Sequence, residues 1–178
     1  ALNQPDVLMA MALLPDNFDA DTLRANWEYY RDKSLNFSSM SFVINALNAV
    51  DVGEPVAAYK HFIITTGMDL DEALTGRRDT YAGLHGTAAG GAWLAAVRGF
   101  GGVRLSHDGL RIDPHLPPQW RSLRFNLVLR GTVVRVAIDP HEVALTAEAG
   151  RRLDVPILVG GRTVALRAGE TVAVRYAE

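Results

Sequence analysis

The sequence contains no cysteine. Disulfide bonds, thiolate nucleophiles and cysteine-ligated zinc or iron–sulfur sites are therefore excluded, although this does not fix the redox compartment. Long hydrophobic runs are missing too. The apolar stretch over residues 7–14 is too short to cross a bilayer and no basic segment precedes it, so neither a membrane span nor a secretory leader is indicated. Nor does charge of one sign dominate. With 18 Lys and Arg against 20 Asp and Glu the formal net charge is −2, which leaves no broad basic footprint for nucleic acid or an anionic membrane surface. We expect a soluble, cytoplasmic protein. Methionine is absent from position 1, and the chain passes from Ala1 almost directly into an apolar helical pattern, as a piece of a longer protein would.

What is present is a core-forming composition, 48% hydrophobic over 178 residues, enough for one ordinary domain or two small modules. Its hydrophobic period changes partway along. Residues 5–14 place Val7, Leu8, Met11 and Leu14 at helical spacing and stop at Pro15. Asp19 or Asp21 can cap a second helix through Leu23, Trp27 and Tyr30, with Arg24, Glu28 and Arg31 on its wet face. Further helices are predicted over residues 42–50, 54–66 and 88–98. The second of these carries Val56, Tyr59, Phe62 and Ile63 on an inner stripe and Lys60 and His61 outside; the third is amphipathic through Trp93, Leu94 and Val97. From residue 103 the pattern alternates. The Asp108-Gly109 pair signals a hairpin between residues 103–105 and 110–112, and further strands are predicted over 123–129, 133–138, 142–147, 154–159, 163–166 and 171–176. Strands at this spacing make an antiparallel sandwich. No active-site cluster falls in it, which gives it a structural role.

Candidate chemistry concentrates in residues 80–102, where glycines, His85 and Trp93 crowd the start of a short helix. A Gly-rich loop running into a helix start can offer backbone N–H groups to an anion or a sugar. Gly90, Gly91 and Ala92 can equally serve close helix packing. Ser38, Ser39 and Ser41 exceed what one helix cap requires and could also face an oxyanion. Trp27, Tyr29 and Tyr30 read as core packing or as a sugar-stacking wall. Asp69, Asp71, Glu72 and Asp79 surround Arg77 and Arg78, a mixed-charge segment read as solvated surface rather than as a general acid/base pair. His61 is read as an exposed helix residue.

The order of elements and several motifs resemble the C-terminal portion of glycoside hydrolase family 65, the disaccharide phosphorylases. The resemblance runs through Gln4-Pro5-Asp6-Val7-Leu8, Ala25-Asn26-Trp27-Glu28-Tyr29-Tyr30, Ser38-Ser39-Met40-Ser41, Gly83-Leu84-His85, Gly91-Ala92-Trp93, Gly99-Phe100-Gly101-Gly102, Asp108-Gly109-Leu110 and Leu116-Pro117-Pro118-Gln119-Trp120. It implies an α+β protein in two modules: residues 1–100 as the last helices of an incomplete (α/α)6-barrel catalytic domain, and residues 103–178 as a C-terminal antiparallel β-sandwich. It implies an inverting phosphorylase that cleaves an α-glucosidic disaccharide with inorganic phosphate, the general-acid glutamate lying upstream, so no catalytic residue is carried onto this chain. Phosphate binding falls to Ser38, Ser39 and His85, and sugar binding to Asn3 and Gln4. No metal and no cofactor is implied; phosphate is a co-substrate. The partners implied are the disaccharide, phosphate and the remainder of the catalytic domain, and a homodimer is compatible with the family. The chain departs from the family pattern at Asn3, where lysine is usual, at Pro5, where alanine is usual, and at Asn36-Phe37 before the serines. Two readings stay open beside a phosphorylase: an α-glucoside hydrolase of the same family, and a non-catalytic carbohydrate-binding or structural module.

Overall fold

The computed structural model describes residues 5–33, 39–71, 73, 83–106, 109–149 and 156–176. The chain divides into a compact helical unit, Ala1–Gly99, and a compact β unit, Phe100–Glu178. Among the described residues no helix is long and apolar enough to cross a membrane.

The helical unit comprises α1 (Asp6–Leu13), a 3-10 turn (Pro15–Asn17), α2 (Ala20–Tyr30), α3 (Ser39–Asp51), α4 (Pro55–Gly67) and α5 (Gly86–Leu94), which runs on into a π-helical turn over Ala95–Phe100. Of the two candidate caps of α2, Asp19 takes the role, accepting from the Thr22 amide at 2.7 Å, while Asp21 sits in the first turn. Helix α3 is buried from Ser41 to Val50, with the polar Asn45 and Asn48 among the apolar residues it buries. It packs against α1, α2, α4 and α5. Asn48 ties it to α1 by donating to the Leu8 carbonyl at 2.8 Å as well as to Ile44 at 2.9 Å in its own helix.

Three of the helical stripes differ from those predicted: on α1, Val7 and Leu14 are exposed and Ala12 joins Leu8 and Met11 inside. On α4 the most buried residues are Ala58 and Thr65, so the inner stripe is rotated and His61, spaced between them, is half-buried. Its ring lies edge-on to Trp27, with centroids 6.2 Å apart, and 6.3 Å from Phe42. A small residue at 58 lets α4 approach its neighbours closely, and the bulky Tyr59 and Phe62 rings settle against each other instead, at 6.4 Å. On α5 the buried positions are Ala88 and Gly91, and Trp93 is 56% exposed rather than part of an inner stripe.

The β unit holds β1 (Val103–Ser106), β2 (Gly109–Ile112), β3 (Leu123–Leu129), β4 (Thr132–Ile138), β5 (Glu142–Ala147), β6 (Ile157–Val159), β7 (Arg162–Val164) and β8 (Thr171–Arg175). They form two four-stranded sheets in the orders β1-β2-β6-β7 and β3-β4-β5-β8. Alternation carries the packing: Val134, Val136 and Ile138 of β4 and Val143 and Leu145 of β5 turn inward and meet Leu110, Ile112, Ile157 and Val159 in one core. Strands β1 and β2 pair antiparallel with Ser106 opposite Gly109, the hairpin the Asp-Gly signal predicts, although His107 and Asp108 lie outside the described residues.

The sandwich is not wholly antiparallel. Strand β6 pairs parallel to β2, from Leu110 opposite Ile157 to Ile112 opposite Val159, a geometry that needs a long connection. Strands β3 to β5 of the other sheet supply it. Gly109 makes the approach feasible. At φ 132° it has no β-carbon, and one placed there would lie 2.3 Å from the Pro156 carbonyl oxygen, the oxygen that accepts from the Leu110 amide at 2.9 Å.

Candidate functional site

His85 precedes the first residue of α5, and its position is set by Asp69, just beyond the end of α4. The Asp69 carboxylate grips it twice: Oδ2 accepts from the His85 backbone amide at 2.6 Å, and Oδ1 lies 2.5 Å from ring Nδ1. The Asp69 side chain is 11% exposed and that of His85 28%. Hydrogen bonds from the His85 ring and then its amide hold the Asp69 carboxyl below the usual carboxylate range, against a smaller opposing effect of burial. Asp69 has φ 67°, a left-handed conformation that Asp tolerates better than most residues. Sequence reasoning placed Asp69 on a solvated surface. In the structure it is instead the partner of His85, because α4 ends next to the α5 start.

The start of α3 reaches the same place. Ser39 Oγ and Thr87 Oγ1 are 2.7 Å apart, so the first residue of α3 meets the second residue of α5. Thr87 was not among the predicted site residues; its position two residues beyond the Gly-x-His motif, in a first helical turn, is the signal that could have found it. Ser41, considered with Ser39 as a possible oxyanion donor, is buried and finds no hydrogen-bond partner among the described residues, so it faces the helix packing.

The α5 start differs from the array of free amides that the glycine-rich loop suggested. The His85 amide is taken by Asp69, the Gly86 amide donates to the Leu84 carbonyl at 3.1 Å, and the Ala88 amide donates to the His85 carbonyl at 2.9 Å. Side chains, namely His85, Thr87 and Ser39, therefore carry most of what this corner offers to a ligand. Gly91 serves packing and Gly90 does not: an added β-carbon at 91 would meet Val43, whereas one at 90 meets nothing within 4 Å.

Of the predicted site residues, His85 and Ser39 are brought to adjoining helix starts. Ser38, Asn3 and Gln4 lie outside the described residues, as do Arg77, Arg78 and Asp79. The aromatic group splits: Trp27 is core at 1% exposure, while the Tyr29 ring is exposed with Lys33 Nζ 3.7 Å from its centroid. A separate groove of about 540 Å³ runs along the start of α4, lined by Glu54, Pro55, Val56, Lys60, His61 and Ile64 among others. It contains none of the predicted site residues. Among the described residues no group of three or more His, Asp or Glu is placed to hold a metal ion.

Residues 1–94 match the glycosyl hydrolase family 65 central catalytic domain, and residues 103–166 match the glycosyl hydrolase family 65 C-terminal domain. A kojibiose phosphorylase of Caldanaerobacter subterraneus subsp. tengcongensis is 35% identical over 166 residues, which are 93% of this chain and 21% of that protein. An alpha,alpha-trehalose phosphorylase of Thermoanaerobacter brockii is 34% identical over 152 residues, 85% of this chain and 19% of that protein. A solved structure from the human microbiome, described as that of a candidate kojibiose phosphorylase, superposes with a TM-score of 0.86 at 30% identity and covers 99% of this chain and 25% of its own. The chain spans about a fifth of the length of these curated relatives. With helices matching the one domain and a β-sandwich matching the other, the chain belongs to glycosyl hydrolase family 65.

Proposed function

We propose that the protein containing this chain is an inverting phosphorylase that cleaves an α-glucosidic disaccharide with inorganic phosphate and releases β-glucose 1-phosphate. Helices α1 to α5 would be the last helices of its (α/α)6 barrel, and Ser38, Ser39 and His85 its phosphate-holding side, joined by Thr87. Asn3 and Gln4 would contact the sugar. A phosphate oxygen attacks the anomeric carbon from the face opposite the leaving oxygen, the glycosidic C–O bond breaks, and a general acid supplied by the upstream part protonates the departing sugar. Such an enzyme, which consumes phosphate and yields a charged sugar, suits the cytoplasm.

The observation that favours phosphate over water as the attacking group is the state of Asp69. Water needs a carboxylate base on the far side of the sugar ring, whereas phosphate is already an anionic nucleophile. Both Asp69 oxygens are engaged by His85, so this carboxylate serves the histidine rather than taking a proton from water. Hydroxyls can donate to phosphate oxygens, and an imidazole can share a proton with one.

The test is the full-length parent with kojibiose, trehalose and maltose in turn, with and without phosphate. Phosphate-dependent appearance of β-glucose 1-phosphate from one of them is the expected result. Release of glucose at the same rate without phosphate would replace this reading by a hydrolase; no turnover of any α-glucoside together with sugar binding would favour a non-catalytic module.

A further inference from the structure

A histidine has two ring nitrogens, and Asp69 occupies one of them. An ionised carboxylate can only accept, so its 2.5 Å approach to Nδ1 commits the ring hydrogen to that nitrogen. The second oxygen, on the His85 amide at 2.6 Å, fixes the backbone from which the ring projects. Ring and backbone are thus held by one group whose side chain is mostly covered. The conformation of that group also points to a special role: φ 67° is easier for Gly or Asn, yet only a carboxylate can accept at both contacts.

We propose that Asp69 is the positioning residue of the anion site: its two-point grip sets the His85 tautomer and leaves Nε2 as the ring atom that meets the ligand oxygen. With Nδ1 committed, Nε2 carries a hydrogen only when the ring is an imidazolium, and the Asp69 carboxylate offsets that positive charge. A phosphate bound there shares one proton with Nε2, held either as imidazolium with HPO₄²⁻ or as neutral imidazole with H₂PO₄⁻; the two descriptions contain the same atoms and charge. The identity of the ligand rests on the phosphorylase reading above, whereas the grip itself does not.

Two measurements on the full-length parent keep these apart. The first is ¹⁵N–¹H correlation spectroscopy of the histidine rings, with His85→Gln used for assignment. We expect the neutral His85 ring to carry its hydrogen on Nδ1 and to lose that preference in Asp69→Ala. A ring protonated on Nε2 in the starting protein, or unchanged in Asp69→Ala, overturns the proposal. The second is steady-state kinetics. Carboxylates that orient metal-bound histidines account for about 10–100-fold in affinity, and we expect Asp69→Ala to raise the KM for phosphate about tenfold while the KM for the disaccharide stays within about twofold. Asp69→Asn, which suits the positive φ and keeps one acceptor oxygen, should fall between the two and serves if Asp69→Ala folds poorly. Both KM values rising together would make Asp69 a purely structural residue and overturn the proposal. A parent with no phosphate dependence would remove the phosphorylase reading, and the tautomer measurement alone would then decide the grip.

Discussion

Val43 of α3 fills the space that a side chain at Gly91 of α5 would need: a β-carbon there would lie 2.9 Å from Val43 Cγ1 and 3.0 Å from its Cβ. Gly90, one residue earlier, would meet nothing within 4 Å. Two adjacent glycines of one helix therefore have opposite expected responses. Gly90→Ala should stabilise the helical unit by about 0.5–1 kcal/mol, because it removes backbone entropy from the unfolded chain and adds no clash. Gly91→Ala gains the same helix propensity, but forcing α3 and α5 apart costs about 1–3 kcal/mol, and Val43→Ala in that background should recover part of the loss. Melting temperatures of the three variants check this; a higher melting temperature for Gly91→Ala than for Gly90→Ala would refute the packing account.

Asn48 should be costly to replace. It is 2% exposed and joins α3 to α1 through the Leu8 carbonyl. Asn48→Leu keeps approximate volume but removes the donor, and losing a buried hydrogen bond across two helices costs about 1–3 kcal/mol. Urea denaturation should show a lower midpoint, and an unchanged one would mean that the bond adds nothing net.

His61 predicts a dependence on mildly acidic pH. Burial, and after it the charge of Lys60, push its pKa below the ordinary histidine value. The unfolded chain takes up a proton near pH 6.5 while the folded ring, set against Trp27 and Phe42, resists. Stability is therefore present in full above about pH 6.5 and declines as the pH falls toward the native value. Its Nδ1 has no hydrogen-bond partner among the described residues, so His61→Phe leaves no partner stranded there. That variant should melt with a flatter profile between about pH 7 and pH 5, and a slope equal to that of the starting protein would contradict it.

Asp139 makes a similar prediction further into acid. Its Oδ1 accepts from the amides of His141 and Glu142, each at 2.8 Å, and these bonds hold its carboxyl below the usual range. The unfolded form protonates first, near pH 4, so its contribution is complete above that pH and is lost as the pH drops through the native value. Asp139→Asn keeps an oxygen for both amides but cannot titrate. The melting-temperature gap between the two proteins should shrink from pH 6 to pH 2, and a constant gap would assign the difference to something other than this titration.

Much of this could be read locally. Helical and alternating periods locate most elements because each side chain's face follows from its own backbone geometry. Asp108-Gly109 marks its hairpin without reference to anything distant. His85 stands out by its glycine neighbours and by the family motif. Its partner does not: Asp69 lies 16 residues earlier, in a polar run where Asp71, Glu72 and Asp79 offer the same chemistry. The place where α4 stops brings Asp69 to the histidine. Thr87 is equally silent until Ser39, 48 residues away in the chain, is brought against it.

The amino-acid order alone established two blocks of different hydrophobic period, the family and the histidine at a helix start, since each is a property of neighbouring residues or of a motif. Folding in three dimensions settled what depends on contacts distant in sequence. It placed β6 beside and parallel to β2 after a connection through three strands of the other sheet, turned His61 inward by rotating α4 around Ala58, and separated the roles of Gly90 and Gly91 by the position of one valine. It also brought the Asp69 carboxylate to His85, because a two-point hydrogen bond is a matter of distance, and distance between helix ends is fixed by packing.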